Sequence, residues 1–175
     1  MDAYDIGIRE KDEGRPPLKP LIVPHEITHG GPVTHDDNVK VTAALVQHPP
    51  VAPSFAYRFD CPDRSIVFSG DTRPSGNLIE LARGADILVH EVIDLKAIDQ
   101  VVKDEAMATR LRAHLEAAHT PMSEVGRIAT EAGVKTLVLN HFVPGTPPIP
   151  DSVWYDAVKP HFKGRVIVGH DLMVL

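Results

Sequence analysis

From Val39 onward the spacing of apolar positions predicts strands first and strand–helix pairs afterwards. Val39–Val46 is rich in β-branched residues and reads as a strand. His48-Pro49-Pro50-Val51-Ala52-Pro53 breaks it, and Phe55–Phe59 alternates as a half-buried strand does. Cys61–Arg64 is a turn, and Ser65–Phe68 is a buried strand running into Ser69-Gly70-Asp71-Thr72. Short turns between consecutive strands predict an antiparallel meander. The period then changes. Ser75–Arg83 is a short helix with Ser75 as N-cap and Gly84 as its stop. Asp86–His90 is a strand. Ile98, Val101, Val102, Met107, Leu111 and Leu115 recur at helical spacing between about 96 and 118. Ser123–Glu131 is a helix closed by Gly133, Thr136–Asn140 a strand and Asp151–Val158 a helix, and Arg165–Val168 and Leu172–Leu175 are strands. Residues 1–38 carry prolines and glycines throughout, and only Leu21-Ile22-Val23 is strand-like there. The organisation expected is an irregular arm, 1–38, followed by an α/β unit, 39–175.

Composition narrows the class. The chain has 175 residues and a formal net charge of −6, which argues against a nucleic-acid partner held by basic side chains. Hydrophobic residues make up 43%, enough for a packed core. No apolar run approaches the ~20 residues that span a bilayer. Met1-Asp2-Ala3-Tyr4-Asp5 does not resemble a signal peptide, and one cysteine, Cys61, permits no internal disulfide, so a reducing, cytoplasmic setting is expected. Aromatics at 5% provide no stacking platform for single-stranded nucleic acid. Phosphate-binding, dinucleotide-binding and serine-elbow motifs are absent from the sequence.

Ten histidines direct attention to metal and proton chemistry. His25-Glu26-Ile27-Thr28-His29 fits a zinc-protease pattern, but Pro24 before it and Gly30-Gly31-Pro32 after it leave no room for the long helix which that motif needs. A second pattern is more coherent: successive strands end in polar residues. Asp71 follows one, His90-Glu91 another, and Asn140-His141 a third, while His119 stands just before a helix. In α/β sheets the loops after strand C-termini form the ligand crevice, so these groups can meet at one edge. Each also has a plain structural explanation: a strand-end turn, a hydrogen-bonded core histidine or a helix cap. His35, His48, His114, His161 and His170 receive no role.

Four signals in this order resemble the C-terminal half of a metallo-β-lactamase-fold hydrolase, nearest its ribonuclease Z and arylsulfatase-like branch. They are Phe68-Ser69-Gly70-Asp71-Thr72, Leu88-Val89-His90-Glu91, Ala118-His119-Thr120 and Leu137-Val138-Leu139-Asn140-His141-Phe142. The resemblance covers residues 39–175, nearly four-fifths of the chain. It implies half of an αββα sandwich: a mixed sheet with helices on one face. It implies that Asp71 bridges two zinc ions, that His141 binds the second, and that His119 and Glu91 assist the leaving group by proton transfer. It implies hydrolysis of a phosphodiester, sulfate ester or similar small-molecule ester. The family's H-x-H-x-D-H motif is not found here, and two matched ligands are fewer than the three that catalytic zinc takes. The chain is therefore expected to be incomplete alone. A half-sandwich also leaves one sheet face without its partner, which implies a homodimer or a complementary N-terminal half. The competing expectation is a non-catalytic, truncated relative that acts as an assembly module.

Overall fold

The computed structural model describes residues 5–17, 19–101 and 105–175. Residues 1–4, read above for a signal peptide, and Val102, read as part of an apolar helix face, lie outside them. Seven strands form one mixed sheet in chain order: β1 (Gly31–His35), β2 (Lys40–His48), β3 (Val51–Asp60), β4 (Ser65–Phe68), β5 (Ile87–Ile93), β6 (Thr136–Val143) and β7 (Arg165–Val168). β1 to β4 pair antiparallel, and β4 to β7 pair parallel. The switch falls where the sequence changes from short turns to helical connections, since only a crossover of about a dozen residues or more returns a chain parallel to itself. Among the described residues five α-helices complete the fold: α1 (Gly76–Ala82), α2 (Leu95–Val101), α3 (Glu105–Ala118), α4 (Met122–Ala132) and α5 (Asp151–Val158).

Alternation along the strands decides which face carries the helices. Val67, Leu88, Leu137 and Leu139 are fully buried and join Leu78 of α1, Val125 and Ile128 of α4, and Trp154 and Val158 of α5 in one core. Their neighbours in sequence, Ile66, Phe68, Val89 and Val138, point to the other face. There Phe68 is 43% exposed although it packs edge-to-face on Phe59, with ring centroids 5.8 Å apart. The mixed half-sandwich with a helix-covered face is thus the fold. No helix among the described residues is long and apolar enough to cross a membrane.

Several elements differ from the sequence-based expectation. The segment His35–Asn38, read as irregular punctuation, closes a β1–β2 hairpin. The Asp36 carboxylate accepts N–H bonds from Asn38 (2.7 Å) and Val39 (2.8 Å), so the side chain makes the turn that the backbone pattern hides. Leu21 ends a 3-10 turn, and Ile22 and Val23 are exposed coil. Leu172–Leu175 is not a strand either: Leu172 is left-handed (φ 63°), which ends extension after β7. The helix expected over 96–118 is described as α2 and α3, with residues 102–104 outside the described set.

Candidate metal and acid–base site

β4 ends at Phe68, and the chain must turn at once to bring Asp71 over the sheet edge. Gly70 makes that turn at φ +59°, and a Cβ there would sit 2.7 Å from the Phe55 carbonyl oxygen, so only glycine fits. Asp71 follows with its carboxylate partly exposed. Thr72 is fully buried; its hydroxyl accepts from Gln47 N–H at 3.1 Å, tying this loop to the end of β2.

Glu91 joins three segments. It is 1% exposed on β5. Its Oε1 accepts the backbone N–H groups of Thr72 and Thr120, each at 3.0 Å, and its Oε2 lies 3.3 Å from His119 Nδ1. The Thr120 hydroxyl donates to the Thr72 carbonyl at 2.6 Å, and Ile93 N–H donates to the Thr120 carbonyl at 3.0 Å. One carboxylate therefore fixes the Asp71 loop and the His119 segment against the strand between them. The hydrogen bond to Glu91, aided by its charge and that of Asp71, raises the His119 pKa above the usual imidazole value, against the opposing effect of burial.

His141 reaches the site through a bulge. Glu91 pairs with Asn140 and Val92 with Phe142, so His141 is the extra residue in β6. Its φ is +43°, a left-handed conformation that costs a non-glycine residue about 1 kcal/mol or more. In return the imidazole turns onto Asp71, with Nε2 at 3.2 Å from Oδ2. The His141 and His119 rings stack at 5.7 Å between centroids.

The fourth imidazole is His48, at the end of β2. Its Nε2 lies 3.9 Å from Asp71 Oδ2, and its ring meets His119 edge-on at 5.2 Å. From the sequence it receives no role, because it matches no ligand of the family and the strand before it is expected to end at Val46. The strand in fact runs to His48, which makes it a polar strand tip like the others. Two donors on one tetrahedral zinc stand about 3.4 Å apart. The His141–Asp71 and His48–Asp71 separations bracket that figure, and ligand atoms of His48, Asp71 and His119 all lie within 4.8 Å of one another. The residues present suit a divalent ion with nitrogen and carboxylate ligands. His25–His29 do not contribute: the segment is non-helical, as its flanking Pro and Gly require. His170 pairs instead with Asp151 at 2.8 Å, at the start of α5.

His90 points the opposite way from Glu91, into the core. It is fully buried, its Nδ1 is 2.6 Å from the Glu91 carbonyl oxygen, and its Nε2 has no hydrogen-bond partner among the described residues. Burial lowers its pKa, which keeps it neutral. The unfolded chain then takes up a proton near pH 6.5 that the folded chain refuses, so this group's contribution to stability falls as pH drops below that value. His90→Leu removes the effect. Between pH 7.5 and pH 5 the stability of the variant relative to the parent should rise, by at most about 2 kcal/mol, read from urea midpoints. His119 contributes with the opposite sign but equally in both proteins, so it cancels in the difference. A flat difference would show that His90 titrates normally in the folded chain.

Comparison with known proteins identifies the family and the fold. Residues 6–142 match the family described as "Beta-lactamase superfamily domain". Ribonuclease Z of Mycobacterium tuberculosis (strain H37Rv) is 34% identical over 170 residues, covering 97% of this chain and 60% of that protein. The chain thus spans less than two-thirds of that relative's length. Among solved structures, the metallo-β-lactamase fold protein YhfI from Bacillus subtilis superposes with a TM-score of 0.58 at 24% identity, over 79% of this chain and 49% of that one. Human tRNase Z, short form, gives 0.55 at 21% identity, over 85% and 46%. The fold, the matched domain and the ribonuclease Z relative agree: the chain belongs to the metallo-β-lactamase superfamily of metal-dependent hydrolases.

Proposed function

We propose that the chain forms the C-terminal part of a zinc-dependent phosphodiesterase of ribonuclease Z type. The observation that carries this reading is the gathering of His48, His119 and His141 at the Asp71 carboxylate, with Glu91 behind His119. Asp71 and His141 would hold the metal. Zinc would supply Lewis acidity, activating water and neutralising charge on the phosphoryl oxygens. Glu91 holds His119 through Nδ1, which leaves the second ring nitrogen to give a proton to the leaving oxygen. The net charge of −6 argued against RNA, but the relative named ribonuclease Z weighs more, because its resemblance runs over 97% of this chain.

His48 stands beside the two matched ligands, but a site for two zinc ions takes more donors than these three. The exposed face around Phe68 favours a second component, either a complementary N-terminal half supplying H-x-H-x-D-H or a second copy of this chain. The test measures zinc content and hydrolysis of a single-stranded RNA, for the chain alone and mixed with such a half. Hydrolysis should require the mixture, and Asp71→Asn should lower its rate at least ~100-fold. No bound zinc and no hydrolysis in either preparation would favour the non-catalytic assembly module instead.

A further inference from the structure

Most arginines of this chain spend their charge on a carboxylate. Arg15, Arg58, Arg64, Arg83, Arg112 and Arg127 each sit on an Asp or Glu. Arg73 is held differently. Its Nε donates to the amide oxygen of Gln47, a neutral partner that orients the guanidinium without cancelling its charge. Its backbone is fixed as well: Arg73 N–H donates to the Gln47 carbonyl at 2.9 Å, and the Thr72 hydroxyl donates to the Arg73 carbonyl at 2.7 Å. Pro74 follows and restricts Arg73 to extended backbone. An exposed arginine ordinarily samples many rotamers, at a cost of about 2 kcal/mol when it is immobilised, and here part of that cost is met before any ligand arrives.

The position of the clamp gives it meaning. Gln47 immediately precedes His48, and Arg73 follows Asp71 by two residues; His48 and Asp71 face each other 3.9 Å apart. The Gln47–Arg73 pair therefore ties together the two segments that carry the site, with a cation at their rim. With Nε engaged, the two terminal nitrogens of the guanidinium remain to form the paired donor that fits a phosphate. In an acidic protein, an oriented cation beside a candidate phosphodiester centre is the feature a polyanionic substrate needs locally.

We propose that Arg73, positioned by Gln47, is a binding residue for a substrate phosphate adjacent to the one cleaved. This rests on the phosphodiesterase reading above and specifies how that site takes a nucleic-acid strand. The test is a nitrogen-15 NMR titration of the full chain with a 2′-O-methyl tetranucleotide, observing the arginine Nε–H signals and the backbone amides of Thr72, Thr120 and His141. The Arg73 Nε–H signal should shift saturably with those amides. Arg73→Gln should weaken binding about tenfold and lower the salt-dependence slope by about one, while Arg73→Lys should recover part of the affinity. Arg73 is exposed, so both variants should fold, and their spectra show it directly. If Arg73→Gln binds like the parent with an unchanged salt slope while the site amides still shift, the assignment of Arg73 falls and the phosphodiesterase reading stands. If none of these signals moves, in the chain alone or mixed with the complementary half, both fall.

Discussion

Glu91→Ala should cost this domain about 3–5 kcal/mol, a large part of the 5–15 kcal/mol that holds a typical domain together. The carboxylate is 1% exposed and accepts two backbone N–H groups, from Thr72 and Thr120, on one oxygen. Alanine leaves both donors buried and unpaired, at roughly 1–3 kcal/mol each. The nearby Thr72 and Thr120 hydroxyls are held by the Arg73 and Thr72 carbonyls to which they donate. Glu91→Gln separates the structural role from the chemical one. Its amide oxygen can keep both N–H bonds, whereas its NH₂ faces His119 without a charge. Glu91→Gln should therefore stay within about 1–2 kcal/mol of the parent while the His119 pKa falls, followed by NMR. Urea unfolding of the two variants checks the first half. A Glu91→Ala midpoint equivalent to less than ~1 kcal/mol would mean that water or a shifted backbone satisfies those donors.

This carboxylate also shows where the sequence was legible. Strand-end polar residues marked Asp71, Glu91 and His141, because a sheet with helical crossovers presents its strand tips on one side. The core followed from alternation, with Val67, Leu88, Leu137 and Leu139 under the helices. Three features stayed hidden, each because a side chain or a bulge overrides the periodic signal. The β1–β2 hairpin is made by the Asp36 carboxylate, which imitates a backbone turn and leaves no apolar pattern. His141 is aimed by one extra residue in β6, and counting positions along a strand cannot register an insertion of one. His48 was obscured by the prolines after it: Pro49 and Pro50 read as a break, yet β2 and β3 pair as far as His48 and Val51. The orientation of Arg73 depends on Gln47, 26 positions away, a contact that no local pattern encodes.

Gly70→Ala should be as damaging to the site as a substitution of a ligand, although it removes no functional group. Two costs coincide at this position. The backbone is left-handed at φ +59°, worth about 1–2 kcal/mol against any residue with a Cβ. The new methyl would also stand 2.7 Å from the Phe55 carbonyl oxygen, and β3 cannot yield easily because Phe55 lies within its ladder with β2. Overpacking of this kind adds about 1–3 kcal/mol, so the total should be about 2–5 kcal/mol. The chain can escape only by shifting the Gly70–Asp71 link, since Thr72 is bound to Glu91 and Arg73 to Gln47 on its far side. That shift falls on Asp71 and opens the 3.2 Å approach to His141. Zinc affinity of the folded variant should then drop at least about tenfold, measured by calorimetric titration. Gly76→Ala is the matched control: a Cβ there meets nothing within 4 Å and its backbone is right-handed, so stability and zinc binding should both hold. If Gly70→Ala behaves like that control, the loop has room that its contacts deny, and the rigid presentation of Asp71 cannot be what brings the carboxylate to the histidines.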